Sequence, residues 1–440
     1  MSSKNIVMAA AGASGLAKTY IEDVFSTYLY SGTGSTQEIN NGIALGNGPA
    51  NGTVLHLRAD GVNGGTNNTI LDSSSNNYTV TRNGNVAQGN FSPFTTGGGS
   101  AYFDGNEDSV SIPASSTITG DFVAEWFMYL TAINTVGTAT IWLSNQSLDN
   151  FQLGIDGNTI GAWINGSLRV SGTVTASSLL NKWIHIAYVR TGSTLSIFVN
   201  GTRVATGTYS ASVSNNTIYV GQQTPGGNNH FVTGYMSSVR LINGSNSYNA
   251  TQSTLTVPTT PLTAVSGTSF LLNFTNASIV DSAPIANNLE TVGNTQISNS
   301  VKKYGTGSIA FDGSGDWLKI PNNQNFNFNN GNFTVECWVY CTNTSPRQDI
   351  FSTPANSSGF NGLSIGIYNG NFELTSCWSS GSWQILWATA GAVNANTWYH
   401  LAVVRNGGTL TVYVNGTATY SNNTLNTNSL VFGTEPETIS

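Results

Sequence analysis

A chain of 440 residues has room for two or three domains with cores of their own. Only 8% of it is charged, against about 25% in an average soluble protein, and 21 acidic and 14 basic residues are spread thinly to a formal charge of −7. Without clustered Lys and Arg a nucleic-acid footprint is excluded, and no apolar run reaches the length of a membrane span.

The start, MSSKNIVMAAAGASGLA, has one Lys, a weakly apolar stretch and an Ala11-Gly12-Ala13 triplet, so a cleaved secretory signal has to be weighed. Residues 1 to 52 read as a separate segment without a later repeat. Within it Phe25, Tyr28, Leu29 and Tyr30 make an apolar cluster too small for a core of its own, which points to attachment to something else.

From residue 53 onward the chain says nearly everything twice. GGGSAYFDGNEDSVSIP at 97 to 113 returns as GTGSIAFDGSGDWLKIP at 305 to 321, and DFVAEWFMY at 121 to 129 as NFTVECWVY at 332 to 340. NKWIHIAYVRTGSTLSIFVNG at 181 to 201 returns as NTWYHLAVVRNGGTLTVYVNG at 396 to 416, identical at 12 of 21 positions. In that phrase Trp183, His185, Ala187 and Val189 share one strand face, and Ile184, Ile186 and Tyr188 share the other. Such a strand is apolar on both sides and belongs between two layers. Asn200-Gly201 is a two-residue hairpin signal, so the phrase predicts a three-strand meander.

Each copy is a series of short alternating segments punctuated by Gly, Asn and Pro, which predicts an all-β sandwich or jelly roll. The boundaries expected are 53–248 for the first sandwich, a Thr-, Ser- and Pro-rich extended linker at 249–268, and 269–440 for the second. The second copy ends short. GYMSSVRLI at 234 to 242 reads as a sandwich strand with no counterpart after SLVFG at 429 to 433, so the missing strand is expected either from chain beyond Ser440 or from another subunit.

Several side chains recur at positions where chemistry is conceivable. Glu125 and Glu336 stand on matched strands, as do His185 and His400. A retaining glycosidase needs two carboxylates about 5 Å apart, but Val123 and Phe127, like Thr334 and Trp338, occupy the neighbouring same-face places. The Glu is therefore expected to hydrogen-bond an adjacent strand or the repeated His. Asp104 and Asp108, with Asp312 and Asp316, bracket Gly turns and are candidate calcium ligands, although Asp-Gly also simply builds turns. Trp378, Trp383 and Trp387 fall within ten residues of Gly- and Ser-rich chain, with Trp163 at a comparable stage of copy one. Such rings either stack on sugars or fill the core. The cysteines, Cys337, Cys341 and Cys377, read as buried thiols of a reducing compartment; Cys337 and Cys341 sit about 13 Å apart on one strand, too far to bridge.

The order FDGxGDxLxIP, F-x-x-E, Trp-x-His-x-Ala-x-Val-Arg and F/Y-Val-Asn-Gly resembles the laminin G / concanavalin A-like jelly-roll superfamily, twice over. The stretch VFSTYLYSGTGSTQEINNGIAL, with VPTTPLTAVSGTSFLLNFTNASIVDS, is similar to virion and tail-fibre proteins of tailed bacteriophages, marine ones in particular. These resemblances imply two tandem sandwiches behind a small N-terminal attachment segment. They also imply a non-catalytic tail fibre or similar appendage, assembled in host cytoplasm as a homotrimer, with other virion proteins and host-surface glycan as partners. A capsid decoration protein, a glycan-degrading virion enzyme and a secreted adhesin are the alternatives.

Overall fold

The computed structural model describes the backbone of 6–10 and 19–22, and residues 55–430 except 115–116, 134–139, 146–150, 215, 224–229, 245–247, 284–285, 321–328, 354–361, 379–381 and 426–427. The fold is all-β, as the alternation requires. Among the described residues the one helical turn is the 3-10 segment Ala176–Leu179. The protein divides into two compact units, one of residues 68–276 and the other of 1–67 with 277–440.

The first unit is a sandwich of two antiparallel sheets. One runs Ser167–Thr173, Thr159–Ile164, Phe151–Asp156, Thr140–Asn145, Ile218–Val220, Ser109–Ile112, Thr81–Asn83. The other runs Thr202–Thr208, Thr194–Val199, Trp183–Thr191, Phe122–Ala132, Thr233–Asn243, Ser100–Asp104, Ala87–Gly89, with Thr268–Leu272 also paired to Thr233–Asn243. Between the sheets lie Trp126, Trp142, Phe151, Tyr188 and their neighbours, fully buried. Trp126 stacks on Tyr188 and meets Trp142 edge-on, both at 5.8 Å between centroids, the offset and T-shaped contacts that aromatic quadrupoles favour.

The expected meander is present, turned at Asn200 and Gly201 with φ of 47° and 75°. Its two-sided apolarity also has a cause. Ile184, Ile186 and Tyr188 enter the main core, while Ala187 and Val189 pack with Val123, Phe198, Ile242 and Ala250 in a second cluster on the outer face. That outer cluster is covered by the stretch expected to be an extended linker. Ser196 Oγ donates to Ala250 O (2.7 Å), Arg203 N to Ser253 O (3.0 Å) and Leu255 N to Gly201 O (2.7 Å), so this stretch is a strap held on the sheet.

The second unit repeats the seven-strand order of both sheets, but its strands come from both ends of the chain. One sheet runs Glu290–Val292, Asp316–Ile320, Ile6–Ala10, Gln348–Ser352, Leu363–Tyr368, Asn371–Ser376, Ile385–Ala392. The other runs Gln296–Ser298, Ser308–Phe311, Thr19–Glu22, Phe333–Cys341, Trp398–Asn406, Thr409–Val414, Thr417–Asn422. Thr19–Glu22 thus occupies the place that Thr233–Asn243 holds in the first sandwich, and Ile6–Ala10 the place of Ile218–Val220. Tyr20 lies opposite Tyr340 as Tyr235 lies opposite Tyr129. The counterpart of GYMSSVRLI is therefore in the protein's own N-terminal region, where sequence comparison saw no repeat because four paired residues carry almost no signature.

The boundaries consequently differ from 53–248 and 269–440. Leu55, Leu57 and Ala59 sit in the second unit's core, and Phe270, Leu272 and Phe274 in the first unit's. One device holds both segments. Asp281 Oδ1 accepts from His56 N (2.8 Å) and Ser282 N donates to His56 O (2.7 Å). Asp72 Oδ1 accepts from Leu271 N (2.9 Å) and Ser73 N donates to Leu271 O (2.8 Å). In sequence terms the first sandwich is an insertion between residues 67 and 277 of the second.

Candidate functional site

In the second sandwich Leu363, Ile365, Ile367, Phe372 and Leu374 enter the core. Period-two alternation then puts Ser364, Gly366, Glu373 and Thr375 on the sheet's outer face. The register aligns Asp349, Gly366, Glu373 and Thr389 in one row across four strands. Arg347 Nη1 donates to Glu373 Oε2 (2.9 Å), and its guanidinium carbon lies 5.2 Å from the Trp387 ring centroid. Ser364 Oγ donates to Asp349 Oδ1 (3.2 Å). Burial pushes the Asp349 carboxyl above its ordinary value, against the pull of Arg347 and the Ser364 hydrogen bond.

Trp387 stands out of this face, 57% exposed. A register shift between Leu374 and Ser376 bulges the strand Ile385–Ala392 there, which re-aims the side chain. Its φ of 48° is a conformation that bulky residues rarely hold. The other two Trp of the sequence cluster behave differently: the Trp378 ring packs against the core while its backbone N–H donates to Gln384 Oε1 (2.7 Å), and Trp383 is half-buried. On the first sandwich Trp163 is also on the outer face, but a Cβ built on Gly161 would meet its ring at 3.1 Å, so the indole lies across that glycine. Arg347 and Glu373, which frame Trp387, escaped sequence reasoning because nothing local marks residues 26 apart as partners.

The Asp pairs are turn clamps. Asp108 accepts from Asn85 N (2.6 Å) and Asp104 N (2.9 Å), and Asp316 from Asn294 N (2.5 Å) and Asp312 N (2.6 Å). Backbone donors thus occupy oxygens that a calcium ion would need, and no group of three His, Cys, Asp or Glu able to hold a metal occurs among the described residues. Phe25, Tyr28, Leu29 and Tyr30 lie outside the described residues.

The repeated Glu and His do meet, at 3.2 Å in both copies. In the first sandwich Glu125 also accepts from Arg240 Nε (3.0 Å), Arg240 Nη2 (2.5 Å) and Tyr248 OH (3.1 Å), and is fully buried. Burial pushes its carboxyl up, and the His185 hydrogen bond with the Arg240 charge more than offsets that, leaving it below the ordinary carboxylate value. Every oxygen is engaged within the fold. The cluster ties Arg240 of one strand and Tyr248, just ahead of the strap, to the sheet and leaves Glu125 no free oxygen for chemistry. All three cysteines are buried and unbridged.

No curated protein matches the chain. Among solved structures, the chain is similar to domain 4 of AbnA, a GH43 extracellular arabinanase from Geobacillus stearothermophilus, in complex with arabinotriose (16% identity, 38% of this chain and 82% of that one, TM-score 0.30). It is similar also to the carbohydrate binding module CBM66 from Bacillus subtilis (18%, 37% and 94%, TM-score 0.25) and to domains LG4-5 of the mouse laminin alpha1 chain (10%, 79% and 80%, TM-score 0.27). A laminin G-type family description matches residues 104–249 and 312–439, one region in each sandwich. With more than half its length so matched, and with two jelly-roll sandwiches in its fold, the chain belongs to the concanavalin A-like lectin/glucanases superfamily.

Proposed function

We propose that this protein binds glycans without chemically altering them, as part of an appendage of a bacteriophage particle. The observation that carries the binding reading is the outer face of the second sandwich, where an exposed Trp387 stands beside the Arg347–Glu373 pair and a row of polar groups. An aromatic face buries the apolar side of a sugar ring while charged rims take its hydroxyls. Membership of a lectin-containing superfamily supports the reading, and the resemblance of the N-terminal and central stretches to tail-fibre proteins supports the particle assignment. On this reading other virion proteins and a homotrimeric arrangement hold the protein in place, with Phe25, Tyr28, Leu29 and Tyr30 as contacts.

A hydrolytic reading has one observation in its favour: Asp349, with its raised carboxyl, and Glu373 flank Gly366 in one row. The two readings separate when purified protein is incubated with polysaccharide from host cells. Retention on the polysaccharide without new reducing ends is expected, and sustained release of reducing ends would replace binding by hydrolysis. Immunogold labelling of particles tests the location, with label on tails expected. Label on the capsid would make it a decoration protein, and recovery only from culture medium, with an N-terminus cleaved after Ala13, an adhesin.

A further inference from the structure

Because the two sandwiches share one plan, their outer faces can be compared row by row. Ile141 and Asp349 are equivalent, since each lies opposite a glycine, Gly154 or Gly366. On the next strand Gly161 and Glu373 lie opposite those same glycines. Arg169 and Trp387 are the bulged residues next to Val170 and Ala388, which oppose Ala162 and Leu374. The core rows between them stay apolar in both copies: Leu153 matches Ile365, Ile155 matches Ile367, and Ile160 matches Phe372. Divergence is therefore concentrated on the solvent side. In the first sandwich this face carries two glycines, Ile141 and a Trp163 indole laid across Gly161, with Arg169 folded back onto Ile164 O (2.8 Å) and Asn165 O (3.1 Å). In the second it carries two carboxylates, a guanidinium and an exposed indole.

We propose that this face of the second sandwich, and not that of the first, is a subsite for one ring of a neutral glycan. The inference rests on the glycan-binding reading and adds the place and the chemistry. The floor is Gly366, where a Cβ would run into Gln348 O and Asp349 Oδ1, so no side chain can rise between the two carboxylates. The Asp349 and Glu373 backbones stand two strand spacings apart, about 10 Å, the width of a sugar ring with its hydroxyls. Trp387 offers the apolar platform, steadied by Arg347. Glu373 and Asp349 accept from hydroxyls, and Arg347 donates to a ring or hydroxyl oxygen. Two carboxylates against one guanidinium leave a negative balance, which rejects a uronic acid and favours an uncharged ring.

The test is isothermal titration of the full chain with cello-, malto-, xylo-, laminari- and mannohexaose, and with oligogalacturonate and oligoalginate as acidic probes. At least one neutral hexamer should bind. Trp387→Ala and Arg347→Ala should each weaken it about tenfold, the scale of one aromatic or charge-assisted contact. Trp163→Ala should leave affinity within about twofold, and the acidic oligomers should bind more weakly than the neutral one. An unchanged melting profile for Trp387→Ala, an exposed site, verifies that the loss is local. Neutral binding that survives both substitutions in the second sandwich, or that is lost with Trp163→Ala instead, overturns the subsite while leaving glycan binding intact. Preference for the acidic oligomers overturns the stated chemistry, and failure of wild type with every oligomer overturns both.

Discussion

Replacing Glu125 by Gln keeps the side chain's shape and removes its charge. In the folded protein that carboxylate receives His185, two nitrogens of Arg240 and Tyr248 with no exposure to solvent. Gln can accept through one oxygen, and its amide then faces a donor. Arg240 keeps Thr263 O (2.6 Å) as acceptor but is left as a nearly buried cation without its counter-ion. Breaking one partner of such a pair costs about 3–5 kcal/mol, and the remaining carbonyl argues for the lower end. For a unit of this size about 3 kcal/mol corresponds to a melting decrease of about 6–12 °C. The matched substitution Glu336→Gln is the internal control. Its side chain is 15% exposed and its contact partner His400 is 17% exposed, so a loss of about 1 kcal/mol, or about 2–4 °C, is expected. The pH dependence has a definite sign. A carboxyl held below its unfolded value contributes stability that is complete above the unfolded value, about 4.3, and disappears as pH falls through the folded value. Differential scanning calorimetry at pH 7 and across the acid range reads both. Equal shifts for the two substitutions, or a Glu125→Gln penalty that persists undiminished in acid, would refute the account of the cluster.

Two further outcomes follow from the fold and the face. Ile21 pairs with both Ile309 and Val339, so Ile21→Pro removes a donor from a central strand, costing about 3 kcal/mol or more; limited proteolysis should then open the second sandwich while residues 68–276 stay protected, and cleavage of both at equal rates would contradict the nesting. Asp349→Asn should raise the second sandwich's melting temperature at neutral pH, because burial disfavours the ionised carboxyl; the gain should shrink as pH falls toward the carboxyl range, where the native side chain takes up its proton, and a destabilised variant at pH 7 would contradict it.

What the sequence determined by itself was everything that depends on neighbours along the chain. Alternation at 183 to 199 assigned strands and both of their faces, and Asn200-Gly201 and Asn415-Gly416 fixed hairpins whose positive φ values follow from those residue types. The Glu–His contact was legible too, because duplication displayed it twice. Tertiary structure decided which distant segments close the sheets. Thr19–Glu22 and Ile6–Ala10 have no periodicity long enough to assign them a sandwich; they are recruited because a central gap leaves two rows of backbone N–H and C=O groups unpaired, and any extended segment of suitable register satisfies them. The same holds for Arg240 beneath Glu125 and for Arg347 between Glu373 and Trp387. Their partners lie 115, 26 and 40 residues away. Such pairs are made by strand register and by a bulge, which are properties of the packed sheet rather than of any local stretch of chain.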